Sequence, residues 1–318
     1  MYYIGIDIGG TGIKAGVVKE NGEIICKSSI PTEQGADYTF LAKQIADLSF
    51  EVIKEAGITL DEVKSIGMGC PGSIDDKNGV VLYANNINLL NAPLCAEVAK
   101  YIDKPVYIGN DANCAALGEY FALNDESITD FIAVTLGTGV GGGIVIDGKL
   151  FTGSNGVAGE LGHMVTVVDG ENCSCGRQGC WEAYASATAL IRQTKQAMIR
   201  FPNSIMWQMV EDDINKVNGR TAFDAMRQGD EAGKQVVDKY IYYVSVGVTN
   251  NINIFQPEVF CIGGGISKEG DNLVEPLNKY YNGDNYGRSL QNKTVIKTAI
   301  LGNDAGIIGA AFLGNLHK

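Results

Sequence analysis

A chain of 318 residues with 37 acidic against 25 basic side chains, a net charge of −12 at pH 7, is a poor partner for nucleic acid or an anionic membrane. A hydrophobic content of 45% with 41 glycines describes a globular protein rich in tight turns, and its length suits two domains better than one core. No apolar run reaches the roughly 18 residues that span a bilayer, and nothing at the N-terminus resembles a signal peptide, so a soluble cytoplasmic enzyme is expected.

Residues 2–30 break into short apolar bursts, YYIGIDIGG, IKAGVVKE and EIICKSSI, with Asn21-Gly22 before the third. This spacing predicts three antiparallel strands with an Asn-Gly hairpin. The first turn, Asp7 to Lys14 (DIGGTGIK), contains G-x-G-x-x-A. A strand follows those glycines where a dinucleotide fingerprint needs a helix, so that reading is rejected. Residues 37–57 show helical spacing and end at Gly57, a C-cap. VKSIGMGC is a strand closed by Pro71-Gly72, and residues 80–94 read as an irregular connection rich in amides, Asn85, Asn86, Asn88 and Asn91 among them. PVYIG is a strand that delivers Asn110-Asp111 at its carboxyl end, the edge where open α/β sheets place ligands. DANCAALGEYFAL is the helix that follows. Asp111 is either its N-cap or a catalytic base kept ionised by the helix dipole, and position alone does not choose.

Residues 131–151 repeat the N-terminal plan: FIAVTL is a strand, GTGVGGG a glycine turn, and IVIDGKLF a strand pair hinged at Asp147-Gly148. Two strand–glycine–strand units suggest a duplicated architecture in which a loop from each half faces a shared cleft. Glycine lets backbone N–H groups crowd around phosphate oxygens, so both turns are candidate phosphate cradles. No G-x-x-x-x-G-K-[ST] occurs, which excludes a P-loop. Residues 159–182, GELGHMVTVVDGENCSCGRQGCWE, hold His163, Cys173, Cys175 and Cys180, with Glu160 and Glu182 bracketing them. Three thiolates and an imidazole suit a tetrahedral zinc, and with no position left for water the metal is structural. Cys26, Cys70, Cys95, Cys114 and Cys261 are scattered and read as buried small hydrophobes. Residues 183–256 look mainly helical, with a long stretch from about Glu231 to Phe255; CIGGGIS is a strand running into Gly263, Gly264 and Gly265; residues 304–315 form a small-residue helix.

Taken together, DIGGTGIK, the GCPG turn, GNDAN, LGTGVGGG, GVAGELGH, CSCGRQGCWE, FQPEVFCIGGGIS and LGNDAGIIGA resemble the ROK family (repressor, open reading frame, kinase) almost end to end, most closely its bacterial glucokinases. The resemblance implies an α/β, actin-like and ribonuclease-H-like two-domain ATPase fold with an interdomain cleft. Its domains would be 1–118 joined by a C-terminal helix 301–318, and 119–300 with the zinc loop 163–180. It implies ATP-dependent phosphorylation of the 6-OH of glucose, with Asp111 as catalytic base. Carried over by position, Gly72, Asn86, Asn110, Asp111, Glu160, His163 and Glu182 match the family's sugar contacts. Asp7, Gly9, Gly10, Thr11 and Lys14, then Gly137, Thr138, Gly139 and Gly141, then Gly264 and Gly265, match its ATP contacts. His163, Cys173, Cys175 and Cys180 match its zinc ligands, and Asp7 would hold Mg²⁺ through water.

Lys14 faces either phosphate or solvent. With one ring nitrogen of His163 on zinc, the other must be N–H, a fixed donor for a sugar hydroxyl. Leu89 stands where the family's glucose kinases often carry Trp, which keeps N-acetylmannosamine, fructose, allose and β-glucosides as alternative substrates. The family's sugar-sensing regulators carry an added N-terminal DNA-binding module; Asp7 stands almost at the start of this sequence and the net charge has the wrong sign, so a kinase is expected. A homodimer or homotetramer is implied by the resemblance alone.

Overall fold

The structure, a computed structural model, describes residues 1–33, 35–290 and 293–315. The chain begins with β1 (Tyr2–Ile8), β2 (Gly12–Lys19) and β3 (Ile24–Pro31), the antiparallel meander expected from the pattern. Helix α1 (Tyr38–Glu55) follows, its N-terminus capped by Asp37, which accepts from the N–H groups of Thr39 and Phe40. Then come β4 (Val63–Cys70), a small sheet of β5 (Ser73–Asp75), β6 (Val80–Ala84) and β7 (Leu89–Ala92), a short α2 (Leu94–Val98), β8 (Val106–Asn110) and α3 (Asp111–Ala122). After these run β9 (Phe131–Leu136), β10 (Val140–Ile146) and β11 (Lys149–Leu150). A helical stretch contains α4 (Glu182–Ala185), α5 (Ala187–Arg200), α6 (Met206–Met209), α7 (Thr221–Arg227) and α8 (Glu231–Phe255). The chain closes with β12 (Val259–Gly263), α9 (Asp271–Asp284), β13 (Val295–Thr298) and α10 (Ala305–Ala311). Among the described residues no helix is long and apolar enough to cross a membrane.

One sheet runs β3-β2-β1-β4-β8, with β4 parallel to both β1 and β8. Its central strands are buried on both faces. Ile4, Ile6 and Ile8 share a cluster with Leu41, Ile45 and Leu48 of α1, while Tyr3 of β1 and Val18 of β2 pack with Ile307 and Ile308 of α10. Each such fully buried aliphatic side chain contributes about 1.5–3 kcal/mol. Helix α10 reaches the sheet because Gly5 and Gly67 are paired across β1 and β4. A Cβ at Gly5 would land on the Ile307 carbonyl, and one at Gly67 on the Ala310 carbonyl, so backbone meets backbone there.

Contacts divide the chain into one unit of Met1–Thr129, Gly143–Gly159 and Ile300–Lys318 and a second of Asp130–Gly142 and Glu160–Ala299. A boundary at residue 118 would cut α3, which continues to Ala122. Segment 143–159 also returns to the first unit, where a Cβ at Gly143 would press on Ala116 of α3. The second sheet runs β11-β10-β9-β12-β13, with β12 parallel to β9 and β13.

Two local expectations need correcting. Residues 80–94 are a hairpin, with Val81 opposite Ala92 and Ala84 opposite Leu89. Asn88 at φ 52° and Asn91 at φ 48° supply its left-handed positions, a conformation asparagine tolerates, which disguised a turn as irregular chain. The closing helix is the seven residues of α10, flanked by 3-10 turns at Gly302–Asp304 and Leu313–Asn315. The 316–318 end of the expected helix lies outside the described residues.

Candidate active site and metal centre

In the first unit the carboxyl ends of β1, β4 and β8 lie in register: Asp7 opposes Gly69, Gly69 opposes Gly109, and Cys70 opposes Asn110. Two strand spacings put Asp7 about 10 Å from Gly109 along this edge. The β1–β2 turn closes when the Gly9 N–H donates to the Gly12 carbonyl at 2.9 Å. Thr32, just past β3, holds it from the side, its hydroxyl donating to the Gly9 carbonyl at 2.6 Å and its N–H to the Thr11 carbonyl at 3.2 Å. A Cβ at Gly10 would lie 3.5 Å from Asn86, so the turn and the asparagine loop are neighbours. Lys14 Nζ sits 3.2 Å from Asp7 Oδ2. The choice between phosphate and solvent thus has a third answer, an ion pair with the acid of the same turn.

Asn110, not Asp111, caps α3. Its Oδ1 accepts from the N–H groups of Ala112 at 2.9 Å and Asn113 at 3.2 Å, and its Nδ2 donates to the Gly72 carbonyl at 3.1 Å. The cap role is therefore taken, and Asp111 is the first helical residue, half-buried, with Oδ1 accepting from the Ala112 N–H at 2.8 Å. Gly72 has φ 101°, and a Cβ there would meet the Tyr83 carbonyl, so only glycine fits. Burial pushes the Cys70 and Cys114 thiols up, with the charge of Asp111 adding to the effect. Both read as neutral packing groups, as expected. Leu89 is buried in the main core of this unit, so it acts on the asparagine loop through packing. Asn113, which the sequence reading passed over, has a buried Oδ1 without a hydrogen-bond partner among the described residues and lines, with Asn110 and Thr152, a cavity of about 180 Å³.

In the second unit the glycine turn between β9 and β10 is shorter than its sequence suggests. Val140 already begins β10, so Gly141 is a strand residue, and Gly137, Thr138 and Gly139 form the turn, closed by Gly137 N–H to Gly139 carbonyl at 3.0 Å. Because β12 is parallel to β9, with Gly263 opposite Thr135, Gly264 comes up beside Leu136 at φ 84°. Gly265 opens a 3-10 turn, Gly265–Glu269.

His163, Cys173, Cys175 and Cys180 converge, with one ligand atom from each lying within 4.8 Å of all the others. Cys173 Sγ is 3.6 Å from His163 Nδ1 and Cys175 Sγ is 3.7 Å from Cys180 Sγ. Bonds of about 2.3 Å to sulfur and 2.0 Å to nitrogen place tetrahedral ligand atoms about 3.5–3.8 Å apart, so the donor set fits a zinc ion. Burial pushes the Cys180 thiol up to about 12, while a backbone hydrogen bond from Arg177 lowers that of exposed Cys175. Trp181, next in sequence, is fully buried and donates from Nε1 to the Tyr243 carbonyl of α8 at 2.9 Å, which anchors the loop. Glu160 is exposed. Glu182 is engaged at both oxygens: Oε2 accepts the Val140 N–H at 2.9 Å, and Oε1 accepts the Ser174 hydroxyl at 3.1 Å.

The profile of the ROK family matches residues 3–315. The chain belongs to the ROK family. Among ROK relatives, a glucokinase of Thermotoga maritima is 37% identical over 97% of this chain and 95% of its own. A glucokinase of Halalkalibacterium halodurans is 34% identical over 98% and 94%. A solved ROK family glucokinase of Streptomyces griseus, in complex with glucose and AMPPNP, superposes with a TM-score of 0.81 at 36% identity, covering 98% of this chain and 99% of that one. The α/β fold is accordingly the actin-like ATPase fold of ROK proteins.

Within this ROK chain the first unit gathers Asp7, Gly9, Gly10, Thr11, Lys14, Gly72, Asn86, Asn110 and Asp111. The second gathers Gly137, Thr138, Gly139, Gly264, Glu182, His163 and the three cysteines. Sequence reading missed the groups that hold the turns, Thr32 in the first unit and Ala187 and Thr188 in the second. Thr188 Oγ1 donates to the Thr138 carbonyl and the Ala187 N–H to the Gly137 carbonyl, both at 2.8 Å. Nothing in the local sequence marks them, because each acts on a turn distant in the chain.

Proposed function

We propose that this chain is an ATP-dependent sugar kinase that phosphorylates the 6-hydroxyl of glucose, with Asp111 as general base. The reading is carried by the position of Asp111, the first residue of α3, on the strand edge that also holds Asp7 and the glycine turn. The N-terminal dipole of α3 favours its ionised form. An ionised carboxylate there accepts the hydroxyl proton as the sugar oxygen attacks the terminal phosphorus in line. Phosphoryl transfer passes through a loose transition state, so positioning and charge neutralisation are most of what a protein must supply.

Backbone N–H groups of the two glycine turns are the donors for phosphate oxygens. Mg²⁺, when bound, neutralises phosphate charge, and Asp7 is the carboxylate beside the first turn that would hold it through water. Zinc on the thiolates and on Nδ1 of His163 would leave Nε2 as N–H, a donor fixed in angle for a sugar hydroxyl. Asn110 spends its oxygen on the helix cap, so toward a sugar it acts as a donor through the second hydrogen of Nδ2. Glu160 is the exposed acceptor, and Asn86 offers both.

Glucose as the substrate is supported by the glucokinases of T. maritima and H. halodurans and by the S. griseus enzyme with glucose and AMPPNP. The test is a coupled ADP-release assay across glucose, mannose, fructose, N-acetylated hexosamines and cellobiose. The highest kcat/KM is expected on glucose. Another best sugar moves the chain to a different kinase of the family, and no ADP release with any sugar overturns the kinase reading.

A further inference from the structure

The residues just after the metal loop hold the glycine turn of the second unit at both rims. Glu182 Oε2 accepts the Val140 N–H at 2.9 Å, the Ala187 N–H donates to the Gly137 carbonyl at 2.8 Å, and Thr188 Oγ1 donates to the Thr138 carbonyl at 2.8 Å. The turn has one internal bond of its own, Gly137 to Gly139, and glycine backbone has no preference for the shape it adopts. Its form is therefore set from outside. On the other side, Glu182 Oε1 accepts the Ser174 hydroxyl at 3.1 Å and lies 3.6 Å from Cys173 Sγ, inside the loop that carries the thiolates. One carboxylate thus has an oxygen on the metal loop and an oxygen on the turn.

We infer that Glu182, Ala187 and Thr188 are positioning groups that couple the His163, Cys173, Cys175 and Cys180 cluster to the nucleotide turn, so that metal at the cluster and nucleotide at the turn strengthen each other's binding. This rests on the reading of residues 137–140 as a nucleotide contact. A metal at His163, Cys173, Cys175 and Cys180 would cross-link the loop that also carries Ser174, an exposed residue between two of the ligands. Fixing the loop fixes Ser174, Ser174 fixes the Glu182 carboxylate, and the carboxylate fixes the Val140 N–H. Linkage requires the reverse effect to be equal in size.

The test measures zinc affinity of the full chain by competition with a chromogenic chelator, with and without saturating Mg–AMPPNP. AMPPNP affinity of the zinc-loaded and zinc-depleted forms is then measured by calorimetric titration. AMPPNP is expected to raise zinc affinity by about fivefold or more, and zinc to raise AMPPNP affinity by the same factor. Thr188→Val, at an exposed position outside the metal cluster, should keep the nucleotide-free zinc affinity and thermal midpoint while the coupling factor falls toward one. Ser174→Ala, which cuts the hydroxyl link to Glu182, should lower the factor in the same direction. Equal zinc affinity with and without AMPPNP, in protein that binds AMPPNP, overturns the inference and leaves the nucleotide reading standing. A wild-type factor in both variants overturns the route through these residues. No AMPPNP binding by zinc-loaded protein overturns the nucleotide reading and the inference together.

Discussion

The two large sheets follow one plan and hold their turns in two ways. Both begin with a meander around a glycine turn and continue with two parallel strands, β3-β2-β1-β4-β8 in one case and β11-β10-β9-β12-β13 in the other. In the first, the turn is supported by Thr32 at the end of the adjoining strand, and the strand entering it supplies Asp7. In the second, no acid stands at the equivalent strand end, and support comes from Glu182 and Thr188, 42 and 50 residues further along the chain. A turn held by its own sheet is an independent part. A turn held by Glu182 and Thr188 depends on the packing of a distant stretch of chain. The repeated topology gives two glycine turns, one held within its own sheet and beside an acid, the other held by residues that follow the His163 and cysteine cluster.

The largest effect expected from breaking this comparison is on the acid-bearing side. Asp111→Ala should lower kcat by about 10²- to 10⁴-fold, the usual contribution of general-base catalysis, with little change in glucose affinity by titration. Near-normal turnover would remove Asp111 from the chemistry. Next in size is Cys175→Ser, which should lose zinc by elemental analysis and weaken glucose and AMPPNP binding about tenfold, the scale of a lost metal shell. Thr32→Val, the matching change in the first unit, should weaken nucleotide binding with zinc content intact. Zinc loss from Thr32→Val, or zinc retention by Cys175→Ser, would erase the distinction between the two turns.

Packing sharpens the same contrast at a smaller scale. Gly67→Ala drives a Cβ into the Ala310 carbonyl, and neither backbone can yield without lifting α10. Overpacking of this kind costs about 1–3 kcal/mol, readable as a lower denaturation midpoint. At Gly139 the obstacle is instead the end of the Glu182 side chain, which can swing aside. Gly139→Ala should therefore leave stability nearly unchanged and weaken AMPPNP binding, because the swing breaks the Val140 tie. Equal destabilisation by both changes would mean that Glu182 is locked as rigidly as backbone.

What the sequence made legible was whatever a short window contains. The three N-terminal strands, α8 and the thiolate loop each carry their signal within their own residues, as apolar spacing or as ligand spacing. The two roles of Asp111, cap or base, could not be ranked, because only the backbone shows that Asn110 is the side chain that reaches the Ala112 N–H and Asn113 N–H together. The hairpin at 80–94 was hidden because the left-handed residue of its turn is an asparagine, Asn88, in place of a glycine. The return of 143–159 to the first unit and the grip of Thr188 on Thr138 are long-range pairings, and no window of sequence holds both partners.

The smallest effect concerns Lys14, whose ion pair with Asp7 is partly exposed, with side-chain exposures of 45% and 24%. A pair so placed contributes about 0–1 kcal/mol, so Lys14→Met should leave the thermal midpoint almost unmoved. Its charge should still register in the reaction. An ammonium 3.2 Å from Asp7 Oδ2 competes with any cation that the carboxylate holds. Removing it should lower the half-saturating Mg²⁺ concentration by about twofold to fivefold, the Coulomb scale of one charge near 4 Å in water. If Lys14 instead leaves Asp7 for the nucleotide, Lys14→Met will raise the KM for ATP with the Mg²⁺ dependence unchanged. The two outcomes move different parameters, so one titration of ATP against Mg²⁺ decides whether the first turn holds its phosphates by backbone alone or with a side-chain cation.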